Sequence, residues 1–187
     1  MTKRFLTLLL FLGLGICINI YAQSQSFLIL GDIHYDLLEN HDMEWLRKKP
    51  DDLRQVTTEY TQFTKKNWPA FSKQLRNKVK SYKPEIKAIL QLGDISEGLA
   101  GSEQKAEQMA QSVVKAVDAV GMAIPWIITK GNHDITGPGA QEAFIKHYIP
   151  MFRKQLNRTD ITSANYAHQI GENLLSVLIL GREKLMY

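Results

Sequence analysis

Cysteine is nearly absent from this sequence, since Cys17 is the only one among 187 residues. A single cysteine cannot form a disulfide within the chain, so a small disulfide-stabilised fold is excluded. Beyond residue 22 the sequence also lacks an apolar run long enough to span a membrane, internal repeats and low-complexity segments. Its length is that of one ordinary domain with its own hydrophobic core.

A strong excess of one charge is lacking too. The formal charge of +4 includes the basic residues at positions 3 and 4, so the rest of the chain is close to balanced, and no nucleic-acid partner is indicated. Basic residues between positions 65 and 87 could form a basic patch. We favour an amphipathic helix with a solvated basic face, because apolar residues interleave at near-helical spacing: Phe63, Phe71, Leu75 and Val79.

The amino terminus has the pattern of an export signal. Two basic residues precede an apolar stretch at positions 5–20, and Ala22 offers a small residue for cleavage. We therefore expect residues 1–22 to be a signal peptide and residues 23–187 to form one domain of an exported protein, periplasmic or extracellular. An uncleaved membrane anchor is the alternative. Lipid attachment at Cys17 is disfavoured, because Ile16 stands where a small residue is needed.

Three apolar runs predict buried strands that end in a glycine and polar residues. They are 27–30 before Gly31-Asp32-Ile33-His34, 88–92 before Gly93-Asp94, and 124–129 before Gly131-Asn132-His133-Asp134. Parallel strands of open α/β sheets bind ligands beyond their carboxyl ends, and the three glycines allow sharp turns and close approach there. Carboxylate, amide and imidazole groups gathered at that edge would suit Mn, Fe or Zn.

The remaining pattern predicts an α/β fold with parallel βαβ units. Pro69 starts or kinks a helix that ends near Tyr82, and residues 35–52 form a loop or short helix over the site. Further helices are expected at 103–120, ended by Gly121, and at 141–156. A hairpin of 165–170 and 174–180 follows.

These motifs resemble the calcineurin-like metallophosphoesterase family, whose signature runs D-x-H, G-D, G-N-H-D/E, a lone His and G-H-x-H. The resemblance implies a metallophosphoesterase-like sandwich and a site for two divalent ions that hydrolyses phosphate esters. Asp32 and His34 would hold the first ion, Asp94 would bridge both, and Asn132 would bind the second. It also implies that His133 is a general acid and that Asp134 orients its ring.

Each of these residues also has a simpler interpretation. Asp32, Asp94 and Asn132 could cap helices or close turns, although their combination with His34 and His133 favours the metal site. Glu97 matches no family ligand, so we expect a solvated turn residue. The other histidines are interpreted as surface or packed structural residues: His41, His147 and His168.

The chain departs from the family after Asp134, because neither His147 nor His168 belongs to a G-H-x-H motif. We therefore expect a domain that is truncated at its carboxyl end, with a second metal site left incomplete and little catalytic activity. A partner chain could complete the site. The alternative is a non-catalytic remnant that binds metal weakly or acts only through protein contacts.

Overall fold

A computed structural model describes residues 25–178. The predicted signal peptide at 1–22 and the chain end at 179–187, where the truncation was predicted, lie outside the described residues. Across residues 25–178, no helix combines the length and the apolar character needed to cross a membrane.

A parallel three-stranded sheet forms the centre of the fold. Its strands are β1 (Ser26–Leu30), β2 (Ile86–Gln91) and β3 (Trp126–Ile128), arranged in the order β1-β2-β3. All three residues of β3 are buried, as expected for a short apolar strand covered on both faces. The predicted α/β class and its parallel strands are confirmed, and the three carboxyl ends meet at one edge.

The connection from β1 to β2 is mostly helical. It contains a 3₁₀ turn at Leu38–Asn40, α1 (Met43–Leu46), α2 (Pro50–Gln55), a π-helical turn at Val56–Tyr60, and α3 (Thr61–Ser81). The prediction of a loop or a short helix within residues 35–52 agrees with this segment, which contains the 3₁₀ turn and α1.

Pro69 lies inside α3 rather than at its start. The helix tolerates it because α3 packs an apolar face on the core, with Leu75 buried and Trp68 and Phe71 partly buried. Its lysines face solvent, which agrees with the amphipathic interpretation. Phe63 is the exception on the apolar side, since 58% of it is exposed.

Helix α4 (Glu103–Val120) has the predicted bounds. The Ser102 side chain accepts a hydrogen bond from the Lys105 amide at its amino end, and Gly121 ends it in the left-handed conformation at φ 64°. Its apolar face is buried through Met109, Val113 and Val117.

The predicted helix at 141–156 is present as α5 (Ala140–Ala143), a π-helical turn at Phe144–Tyr148, and α6 (Ile149–Leu156), which packs against β3. An antiparallel hairpin of β4 (Tyr166–Ile170) and β5 (Asn173–Val177) follows. The Tyr166 hydroxyl joins this hairpin to β3, because it accepts from the Ile128 amide at 3.0 Å and donates to the Ile128 carbonyl at 2.8 Å.

Candidate metal centre

The loops that follow β1, β2 and β3 are joined by their backbones. The amides of Ile33 and His34 donate to the Asp94 carbonyl at 3.0 and 2.9 Å, which ties the first loop to the second. The His133 amide donates to Asp94 Oδ1 at 2.7 Å, which ties the third loop to the same residue. Asp94 is therefore the central anchor of the site.

Two of the three glycines are needed for this close approach. A Cβ on Gly93 would lie 2.8 Å from the Gly131 amide nitrogen, and one on Gly131 would clash with the Asp94 carboxylate. Gly31 differs, because a Cβ there would meet no atom within 4 Å among the described residues. The prediction that Gly31 is required for close approach is wrong.

The first candidate metal group in residues 25–178 consists of Asp32, His34 and Asp94. One ligand atom from each side chain lies within 4.8 Å of the others. His34 and Asp94 also have positive φ angles of 46° and 50°, which are uncommon for residues with a Cβ. Such backbone strain concentrates at functional sites, so it supports a site here.

A second group, sharing His34 with the first, adds Glu97 and His133, again with ligand atoms within 4.8 Å of one another. His34 Nδ1 contacts Glu97 Oε2 at 2.7 Å. Because a carboxylate accepts, Nδ1 carries the proton and Nε2 of His34 is left with its lone pair for a metal.

Glu97 is completely buried, so the prediction of a solvated turn residue is wrong. Burial raises the pKa of Glu97, and the hydrogen bond to Glu97 raises the pKa of His34. Within the described chain, Glu97 Oε1 finds no hydrogen-bond partner. This oxygen lies 3.5 Å from His133 Nδ1, so the buried Glu97 carboxylate stands between two imidazoles.

Glu97 also positions His133, through its backbone. The His133 Nδ1 donates to the Glu97 carbonyl at 2.9 Å, since a carbonyl can only accept. The Nε2 atom of His133 is then the one available to exchange a proton with a substrate. The ring lies edge-on to the His34 ring at 4.7 Å between centroids.

The described hydrogen bonds of the Asp134 carboxylate go to the neighbouring loops. Its Oδ1 accepts from the Ser96 amide at 2.9 Å and the Ser96 hydroxyl at 3.0 Å, and its Oδ2 accepts from the Gly131 amide at 2.9 Å. Burial raises the pKa of Asp134. These bonds brace the loops after β2 and β3. The described contact of the His133 ring is with the Glu97 carbonyl, and the implied role of Asp134 in orienting that ring stays a prediction.

The remaining predicted residues occupy varied positions. Asn132 is exposed and directly precedes the 3₁₀ turn His133–Ile135. His41 is buried, as expected of a packed histidine, and His147 contacts Glu107 away from this centre.

Tyr60 was missed by sequence reasoning. Its ring stacks on His34 at 4.8 Å between centroids with an interplanar angle of 27°. It belongs to the π-helical turn at Val56–Tyr60, a local structure often found at functional sites. No motif in the sequence marked it, whereas Glu97 carried a weak signal through its place three residues after Asp94.

We expect Glu97→Gln to weaken divalent-metal binding by about 10- to 100-fold, because it removes the charged acceptor that orients His34. Titration calorimetry with Mn or Zn measures this. Glu107→Gln is a matched control, since Glu107 is a surface carboxylate paired with Lys146 at 2.6 Å. Equal affinities for the two variants would mean that Glu97 does not support the metal ligand.

Comparison with known proteins agrees with this geometry. The model of the calcineurin-like phosphoesterase family matches residues 26–182, which include all three strand-end motifs. No curated protein matches the chain. The family is metal-dependent and its substrates are phosphate esters. Because the match covers most of the sequence, the chain belongs to the calcineurin-like phosphoesterase family.

Proposed function

We propose that this chain binds two divalent ions at the edge formed by β1, β2 and β3 and hydrolyses phosphate esters there. Asp32, His34 and Asp94 would hold the first ion, and Asp94 with Asn132 would hold the second. The observation that carries the proposal is the first candidate group, with its ligand atoms within 4.8 Å at the ends of parallel strands. Carboxylate and imidazole donors of this kind suit Mn, Fe or Zn.

Bound divalent ions would supply water of lowered pKa and neutralise charge on the phosphate. The chain itself contributes a proton donor. His133 Nδ1 donates to the Glu97 carbonyl at 2.9 Å, so the second proton of the imidazolium form is on Nε2. Nε2 would pass this proton to the leaving oxygen, and the ring would become neutral with its proton on Nδ1. Tyr60, stacked on His34, limits the movement of that ring and shields one of its faces from water.

The test is turnover of bis-nitrophenyl phosphate by the purified chain in Mn or Zn. Activity that Asp32→Ala removes would support catalysis at this site and would overturn the sequence-based expectation of little activity. Asp32 belongs to the first candidate group and is exposed, so its loss should not disturb packing. Metal binding without turnover would instead favour the non-catalytic alternative. That alternative has one supporting observation: the proposed second ion depends on Asp94 and the exposed Asn132.

His133→Ala should slow alkyl phosphoesters at least about tenfold more than nitrophenyl esters, whose leaving group needs little protonation. Affinity for the first ion should stay unchanged, because its proposed ligands are Asp32, His34 and Asp94. A fall in that affinity would assign His133 to metal binding. Both ester classes are compared by kcat/KM in the same metal. Equal slowing of the two classes would assign His133 to binding or structure.

Export remains part of the proposal, supported by the two basic residues and the apolar stretch at positions 5–20. Mass spectrometry of the chain recovered from cell fractions should find a mature protein that begins at Gln23. Intact chain in the membrane fraction would support an uncleaved anchor.

A further inference from the structure

A cleft of about 300 Å³ opens between the loop after β1 and helix α3. Most of its walls are apolar, and four aromatic side chains dominate them. These are Tyr35, Phe63, Trp68 and Phe71. The volume is at the lower end of small-molecule pockets, which suits a group the size of one aromatic ring with a short extension.

The aromatic walls are preorganised. Tyr35 packs edge-on against Trp68 at 5.0 Å between centroids, and Trp68 lies 5.5 Å from Phe71. The Thr64 hydroxyl, which also lines the cleft, is engaged by the Asp36 amide at 2.9 Å. The cleft therefore offers a mainly apolar surface, and Asp32 and Asn67 are its further polar lining residues.

The cleft is continuous with the metal centre. Asp32 lines it and also belongs to the first candidate metal group. In the part of the chain that the structure describes, neither His133 nor Glu97 lines the cleft. A phosphate held at the centre would thus have the proton donor and the aromatic cleft as two separate neighbours.

We propose that this cleft binds an apolar substituent of the phosphoester whose phosphate lies at the metal centre. The inference rests on the proposed function, because it needs a phosphate beside Asp32. Since the leaving oxygen must face His133, the group in the cleft is the one that stays on phosphorus. The favoured substrate class is a phosphodiester with an apolar, ring-sized retained group.

Phe63 is the best position for a test. It lines the cleft yet is 58% exposed, so Phe63→Ala should cost little stability. Ile145→Ala is the matched control, because Ile145 is 57% exposed and lies in the π-helical turn Phe144–Tyr148. Phe63→Asp places a charge at the apolar wall as a stronger perturbation.

The experiment measures binding of inorganic phosphate, methylphosphonate and phenylphosphonate to the Mn- or Zn-loaded protein by calorimetry. These probes are not hydrolysed, so the readout is independent of turnover. Phenylphosphonate should bind about tenfold more tightly than methylphosphonate, as expected for partial burial of a ring. The preference should fall to about twofold in Phe63→Ala, disappear in Phe63→Asp, and persist in Ile145→Ala.

Each other outcome identifies its own failure. Equal binding of the two phosphonates, with phosphate still bound through metal and Asp32, overturns the cleft and leaves the proposed function intact. If the Mn- or Zn-loaded unmodified protein binds no inorganic phosphate, the proposed function itself is overturned. If both Phe63 variants still bind phenylphosphonate more tightly than methylphosphonate, the phenyl group does not lie in this cleft. Sedimentation as a dimer that Phe63→Asp converts to a monomer would mean that a second copy covers the cleft.

Discussion

Asp94→Asn is expected to abolish measurable Mn or Zn uptake, with affinity lowered at least about 100-fold. Asp94 belongs to the first candidate metal group and would be the one residue shared by both proposed ions. Asn keeps an oxygen to accept from the His133 amide, and it tolerates the positive φ of 50° at this position. The loss should therefore come from the missing charge rather than from unfolding.

Metal content after dialysis is measured by atomic emission, and affinity by calorimetry. Asp118→Asn serves as the control, because Asp118 is a surface carboxylate paired with Lys154 at 2.7 Å. Thermal unfolding of the metal-free variants should show similar midpoints. Retention of stoichiometric metal by Asp94→Asn would show that the assigned site is wrong.

His41→Ala should destabilise the protein by about 3–5 kcal/mol, because it leaves a buried carboxylate without its partner. His41 Nε2 contacts the two Asp36 oxygens at 2.8 and 3.0 Å, and both side chains are fully buried. Nδ1 donates to the Leu99 carbonyl at 3.0 Å. Burial lowers the pKa of His41, but the bonds to Asp36 and Leu99 together raise it, which favours the imidazolium form.

Urea unfolding monitored by circular dichroism measures this loss. His147→Ala is the control and should cost less than about 1 kcal/mol, since its partner Glu107 is partly exposed. The double variant Asp36→Ala/His41→Ala should cost less than the sum of the single variants, because the removed groups are partners. Additive losses, or a His41→Ala effect no larger than that of His147→Ala, would contradict a buried ion pair.

The location of the candidate site was predictable from local sequence. Each motif follows its own apolar strand, and the carboxyl ends of parallel strands necessarily share an edge. The burial of Glu97 was not predictable in the same way. The family resemblance implies that Asp134 orients His133, and the structure adds a contact from another loop, in which the Glu97 carbonyl accepts from the His133 ring.

The sequence by itself determined the α/β class, the parallel strands, the bounds of α4 and the grouping of Asp32, His34 and Asp94. These features depend on local periodicity and on helix caps such as Ser102 and Gly121. They also depend on the carboxyl ends of the parallel strands, which share one edge for any loop conformation. Each of these features is specified by residues within a short segment of the chain, so it can be predicted without a structure.

Only the tertiary structure decided what surrounds those candidate ligands. Glu97 meets His34 across 63 residues of sequence, and Tyr60 stacks on the same ring from a helix on the β1–β2 connection. The aromatic cleft likewise forms only where α3 packs beside the loop after β1. Such contacts depend on how separate loops and helices pack. No periodicity or residue spacing along the chain specifies which of these distant residues come into contact.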